Sequence, residues 1–391
     1  MTIRLLLPVV ACAVLCAAPP AHAKVYPLTT LPADKVGKLG PIVGQGDLAL
    51  IESNPDGRMK QVTLFLLVKA PPEVVHDVVA HPDGYGKFMG LSKSETRPLP
   101  DGGTFHSWVL DLPVSSFDAM NKYYMEPGPT GAVLVQSWKE IDQATYRWEF
   151  VPMGGGTLLV MYGYTDIQRS NQFVRKFVTK QAVMEHGLAM AAQLMLAAGM
   201  RREAERRAPR TAVNVAGPMP SLDFLLARGV VAITRATPEG KFGEVSLLDR
   251  FYASASKIRE LLANPGDYKK FVPGVEAEEK RRDQNGVVYS MEFAVPALSW
   301  SSRFELRMVG SAIESFAVEG DFRGGRYRWD LTVKNSKETL VSFRFAQSLS
   351  QASLVARKLF AAVPSLEYGL NVAYGLVYLR AMRAEAEGWP K

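Results

Sequence analysis

Five histidines and two cysteines make up this chain's whole supply of the side chains that most often carry nucleophilic or metal chemistry. Both cysteines, Cys12 and Cys16, and His22 fall within the first 23 residues. Beyond them the sequence offers no thiolate nucleophile, no disulfide and no cysteine metal ligand. The remaining histidines, His76, His81, His106 and His186, all lie in the first half. His106 shares one face of an alternating segment with Trp108 and Leu110. An imidazole there, with an ordinary pKa near 6.5, suits general base work without retuning, although a buried histidine is more often a satisfied structural residue. His76 sits beside Asp77 on the wet face of a helix and His81 in the following turn. No third ligand is in view, so the pair argues against a metal site. No metal or cofactor is expected.

Other polar features carry two readings each. Glu185 and Glu367 occupy matching places near the end of each half, either as ligand contacts or on a solvated helix face. Arg175-Lys176 and Arg357-Lys358 also match, as solvated charge or as a basic rim that meets lipid head groups. Gly154-Gly-Gly156 is a strand-joining turn and not a phosphate loop, because no helix follows it.

These matches belong to a repeat. Ala80-His-Pro-Asp-Gly-Tyr-Gly-Lys-Phe88 returns as Ala263-Asn-Pro-Gly-Asp-Tyr-Lys-Lys-Phe271, and Tyr146-Arg-Trp148 returns as Tyr327-Arg-Trp329. Met200-Arg-Arg-Glu-Ala-Glu205 returns as Met382-Arg-Ala-Glu-Ala-Glu387. A period this long implies two whole domains, each with its own core. The expected boundaries are 1–23 for a leader, 24–44 for a lead-in, 45–205 and 228–391 for the domains, and 206–227 for the linker.

Each half must position its residues on the same elements. Ile258, Leu261 and Leu262 share one helical face, as Val75, Val78 and Val79 do after Pro71-Pro72. Segments of period two follow. Tyr289, Met291 and Phe293 point one way, as do Trp300 and Phe304, and Trp329 and Phe343 continue the pattern on later strands. Asn285-Gly286 and Gly324-Gly325 mark hairpin turns. Each half then closes with a helix, striped by Met184, Leu188 and Ala191 in one and by Leu366, Leu370, Ala373 and Tyr374 in the other. The fold class is α+β, with an antiparallel sheet wrapped around a long C-terminal helix in each half, the two halves superposing without sharing a sheet.

This order of elements resembles the START-like, helix-grip superfamily, which includes polyketide cyclase/dehydrase and coenzyme-Q-binding proteins. Asp267-Tyr-Lys-Lys-Phe-Val-Pro-Gly-Val275 and Ser353-Leu-Val-Ala-Arg-Lys-Leu-Phe360 carry the likeness, while Met89-Gly90 replaces Val272-Pro273 in the first half. The resemblance implies a cavity between sheet and final helix. In the first half His106, Trp108, Leu110, Phe117, Asn121, Trp148, Tyr162 and Leu188 are expected to line it. In the second half Tyr289, Met291, Phe293, Trp300, Phe304, Trp329, Phe343, Leu370, Ala373 and Tyr374 are expected to do so. The plain alternative is that both sets fill a core.

Arg4, the apolar run Leu5 to Ala18 and Ala21-His-Ala23 have the form of a cleaved export signal, which predicts a periplasmic or secreted protein. Val9-Val-Ala-Cys12 loosely resembles a lipoprotein box, but the apolar run continues through Leu15. The net charge of +7 loses only Arg4 with the leader and forms no concentrated basic face, which argues against nucleic acid. The expected function is a carrier of a hydrophobic small molecule or lipid, with transient contact to a membrane surface. The alternatives are an aromatase or cyclase with His106 as base, and a pair of filled domains that bind an envelope protein.

Overall fold

In the computed structural model, residues 27–389 are described apart from 113–114, 140–143, 170–174, 176–182, 209–211, 238–241, 296–297, 350–356, 359 and 362–363. The leader and Lys176 therefore lie outside the described residues.

The first half begins with two short helices, α1 (Ala33–Val36) and α2 (Gly40–Val43), and a hairpin of β1 (Asp47–Ser53) and β2 (Met59–Val68). Helix α3 (Pro72–Ala80) follows, opened by Pro72 at its first position. Next comes a tight turn over Pro82–Lys87. Strands β3 (Lys93–Pro98), β4 (Thr104–Leu112), β5 (Ser115–Met125), β6 (Val133–Lys139), β7 (Ala144–Met153) and β8 (Gly156–Tyr164) then meander antiparallel, and α4 (Val183–Arg207) closes the half. After a short α5 (Asp223–Leu226) the second half repeats the order. It has β9 (Val230–Ala236), β10 (Phe242–Phe251), α6 (Ala255–Ala263), β11 (Val275–Asp283), β12 (Gly286–Val295), β13 (Leu298–Val309), β14 (Ala312–Gly320), β15 (Arg326–Asn335), β16 (Glu338–Ala346) and α7 (Pro364–Glu387). Ser254 caps α6 by accepting from the Lys257 amide at 3.3 Å. The repeated tyrosines do the same work in both halves. Tyr85 donates to the Val79 carbonyl at 2.5 Å and Tyr268 to that of Leu262 at 2.7 Å, tying each turn back to its helix.

The topology of each half is that of a helix-grip domain, a meandering antiparallel sheet curled around its last helix. One expectation is corrected. The two sheets are not separate: all sixteen strands form one sheet in the order β11-β12-β13-β14-β15-β16-β10-β9-β1-β2-β8-β7-β6-β5-β4-β3. The halves meet where β1 pairs antiparallel with β9, and at the centre of that ladder Ala49 faces Ala232, its own repeat mate. An unpaired apolar strand at a sheet edge would leave a row of backbone groups open to association. Joining the two edges removes both liabilities at once. The outer edges that remain, β3 and β11, are short or charged, with Glu276, Glu278, Glu279, Lys280, Arg281 and Arg282 along β11.

The closing helices also meet. Gly187 and Ala191 on α4 face Gly369 and Ala373 on α7, and a Cβ added at Gly187 would lie 2.3 Å from that of Ala373. Added at Gly369, it would lie 2.3 Å from that of Ala191. The same two-fold relation therefore governs ladder and helix crossing. It explains why α7 is buried without a break from Asn371 to Leu379, one side on the sheet and the other on α4.

The central strands are likewise covered on both faces. Leu48, Leu50, Phe65, Leu158, Val160, Tyr162, Val231 and Ile233 face a second core built with Leu31, Val36, Leu39, Ile42 and Leu225. The lead-in and α5 thus cap the back of the sheet. The described linker residue Asn214 lies on this side too, its amide donating to the Gly154 carbonyl at 2.9 Å beside the three-glycine turn.

Candidate ligand site in the first half

Strands β4 to β7 and helix α4 enclose a small chamber in the first half. Its walls include His106 and Trp108 from β4, Asn121 and Tyr123 from β5, Val135, Tyr146 and Trp148, and Leu196 and Met200 from α4. The turn after α3 supplies Tyr85, Met89 and Leu91. Its volume is about 30 Å³. That holds one or two waters, against roughly 300–1,000 Å³ for sites that take drug-sized ligands. Three of its walls are methionines, Met89, Met195 and Met200, whose unbranched chains repack readily around a guest. Met89 packs against α4, its sulfur 2.3 Å from where a Cβ on Gly199 would stand.

The polar groups of the chamber are few and fixed. His106 is fully buried, with Nε2 at 3.0 Å from Ser94 Oγ on the neighbouring edge strand and no partner for Nδ1. The rings of Tyr85 and Tyr123 stand 5.4 and 6.0 Å from it. With its amide oriented by its neighbours, Asn121 accepts from Trp108 Nε1 at 2.8 Å and donates to Ser137 Oγ at 2.6 Å. Tyr146 exchanges a hydrogen bond of 2.9 Å with Thr165. Burial lowers the His106 pKa to about 4, only weakly opposed by Asp83, so the ring is neutral near pH 7. Burial pushes the Tyr146 hydroxyl up to about 12, and those of Tyr85 and Tyr123 rise as well.

A pH dependence follows. Between about pH 6.5 and pH 4 the unfolded chain binds a proton that folded His106 refuses, so stability should fall as pH drops through that window. Urea midpoints at pH 7 and pH 5 should differ more for the wild type than for His106→Phe. An equal pH response in both proteins would assign the effect to other groups.

The other expected lining residues are distributed as follows. Leu110 and Phe117 pack with Trp108, Ala119, Leu91 and Met195 in a small cluster beside the chamber. Leu188 packs against the main core from α4. Tyr162 does not join them. It points to the back of the sheet, where its hydroxyl accepts from the Leu31 amide at 3.2 Å, because β8 turns Met161 and Gly163 inward instead. The lining role of Tyr85, Met89, Leu91, Tyr123, Val135, Tyr146, Met195, Leu196 and Met200 was missed. Tyr85, Tyr146 and Met200 stand in the repeated motifs themselves, which was the available signal.

In the second half the expected lining residues come together as a packed cluster of rings. Tyr289 stacks on Phe304 at 5.1 Å, and Phe293 on Trp300 at 6.1 Å. Trp329 stacks on Phe343 at 3.9 Å, and Tyr374 stands edge-on to Phe293 at 5.2 Å. Tyr378 reaches Met291, its hydroxyl 2.6 Å from the sulfur. Leu370 packs partly buried on this core, while Ala373 lies at the helix crossing and not among the rings.

The remaining candidates are structural. Glu185 accepts from Arg58 at 3.0 Å and Gln168 at 2.5 Å. Glu367 accepts from the Leu349 amide and Ser348 Oγ, both at 3.0 Å. His81 lies 3.0 Å from Asp77 in an open polar cleft that also holds Lys87, Arg206 and Arg207. Among the described residues no three His, Cys, Asp or Glu side chains group as a metal site, and no helix is long and apolar enough to cross a membrane. Arg175, Arg357 and Lys358 are exposed.

The tandem helix-grip architecture defines the class of protein by fold. No family model matches the chain, and no curated protein matches it. Among solved structures it is similar to the di-domain aromatase/cyclase StfQ of the steffimycin biosynthetic pathway, at 15% identity and a TM-score of 0.32, over 84% of this chain and 98% of that one. It is also similar to the Zhui aromatase/cyclase from Streptomyces sp. R1128, at 21% identity and a TM-score of 0.32, over 37% and 93%. A STAR-related lipid transfer protein from Xanthomonas axonopodis matches at 13% identity and a TM-score of 0.29, over 40% and 93%.

Proposed function

We propose that the first half is the binding chamber for a hydrophobic small molecule, that the second half is its scaffold, and that the protein is an exported carrier. The observation that carries this reading is the difference between two copies of one fold. Three rings that fill the second half, Phe304, Phe345 and Tyr378, are Asn121, Gly163 and Leu196 at the matching positions of the first. The first half thus keeps the framework and gives up the filler, and its adaptable methionines occupy the space until a ligand arrives. Transfer of a ligand into that space is driven by about 25 cal/mol for each Å² of apolar surface removed from water.

His106 supports the carrier reading over a cyclase. A base with a pKa near 4 is a weak proton acceptor near pH 7. The exposed Arg357 and Lys358 support contact with anionic head groups during exchange. The leader-like residues 1–23 support placement in the bacterial envelope.

Native mass spectrometry of the protein recovered from the envelope fraction tests the proposal. The expected species is a chain beginning at Lys24 with one unmodified apolar molecule bound. A full-length chain would overturn the export. A converted product that forms with the wild type and disappears with His106→Phe would overturn the carrier reading in favour of an enzyme.

A further inference from the structure

Gln193 is fully buried on α4, and neither its amide nitrogen nor its amide oxygen has a partner. It is the one described side chain with two buried polar atoms and nothing bound to either. It lies one turn before Leu196 and two before Met200, the chamber walls it shares a helical stripe with, and stands behind the lining itself. It reaches across to β8, where Gly163 leaves it room. A Cβ on Gly163 would stand 2.4 Å from Gln193 Nε2 and 2.9 Å from the ring of Tyr146, a chamber wall.

The second half shows that the fold does not need this amide. Its matching pair is Phe345 on β16 and Gly375 on α7, and the Phe345 ring fills the space in front of that glycine, 2.7 Å from where a Cβ would stand. Strand and helix have exchanged which of them fills the slot. An apolar ring serves in one half, yet the other carries an amide. A buried polar group left unpaired forfeits the hydrogen bonds that water gives it in the unfolded chain. Packing alone gives no reason to bear that cost twice within one side chain.

We propose that Gln193 is a specificity-determining residue of the first-half chamber and reads a hydroxyl group on an otherwise apolar ligand. The chemistry follows from which atoms are unpaired. Nε2 can only donate and Oε1 can only accept. A hydroxyl accepts from the first and donates to the second, so it completes both. A carbonyl would satisfy only the nitrogen, and a carboxylate would bring an unpaired charge into an apolar chamber. The ligand is then an alcohol or phenol whose apolar body lies along Tyr146, Leu196 and Met200. This deepens the proposed binding function and rests on it. A trapped water offers the same donor and acceptor, so the test has to separate the two.

Two fluorescent probes of nearly equal shape, 1-pyrenemethanol and 1-methylpyrene, differ by one oxygen. The wild type should bind the alcohol about tenfold more tightly, the worth of one or two net hydrogen bonds. Gln193→Met keeps the volume and removes both polar atoms, so it should bind the two probes equally while holding 1-methylpyrene as well as the wild type does. Gln193→Leu provides a second apolar replacement should the first variant fold poorly. The stability of the empty variant is the second readout and should be unchanged or higher, because the unpaired amide is gone. Equal binding of both probes to the wild type, or a preference that survives in both variants, would overturn the role of Gln193 and leave the chamber intact. A variant that keeps the preference but loses stability when empty would assign the amide to a structural water. If neither probe binds the wild type, the binding function itself fails.

Discussion

Ala373→Trp is expected to lower the unfolding free energy by about 3 kcal/mol, at the upper end for overpacking. At the crossing of α4 and α7 the two backbones approach closely enough that even a methyl on Gly187 would strike Ala373. An indole there must push the helices apart. Because α4 holds the first half's sheet and α7 the second's, both halves should lose stability together in one transition. Urea unfolding followed by circular dichroism measures the change. A midpoint within experimental error of the wild type would mean that the helices separate at little cost and that the crossing does not couple the halves.

The second expected result concerns the second half expressed alone, as residues 222–391. It should self-associate into a dimer and not remain a monomer. Separation from the first half uncovers the apolar strand β9 and the Gly369–Ala373 side of α7 together. Exposed edges of this kind recruit other strands. The natural junction is already nearly two-fold, with Ala49 opposite Ala232 and Gly187 opposite Ala373. A second copy can therefore take the place of the first half with little change of shape. Light scattering after size exclusion should give about twice the chain mass. Ala232→Pro, which removes an amide hydrogen from the edge strand, should weaken that association. A stable monomer from this segment would show that each half closes its own surface without the other.

Much of this architecture was legible in the residues because it is local. Period-two alternation at Tyr289, Met291 and Phe293, the Asn285-Gly286 turn and the stripe through Leu366 and Leu370 each express a preference that a short segment holds by itself. The repeat extended that reading, since a helix or strand recognised in one half named its mate in the other. Where alternation was followed one residue out of step, as at Tyr162, the side chain went to the wrong face, because a shift of one residue on a strand reverses every side chain.

The sequence by itself determined that this is two copies of one α+β unit, that aromatic chains crowd the inward faces, and that His106 stands among them. These are statements about composition and period, and they survive any arrangement of the halves. Only the tertiary structure decided that the two sheets are one, that the closing helices meet at glycine and alanine, and that stacked rings fill one interior while the other keeps a small chamber where Met89, Met195 and Met200 join His106 and Asn121. Each of those outcomes depends on residues far apart in the chain: Ala49 with Ala232, Gly187 with Ala373, Gly163 with Gln193. No local preference encodes such pairs, because the free energy that selects them comes from burying two distant surfaces against each other.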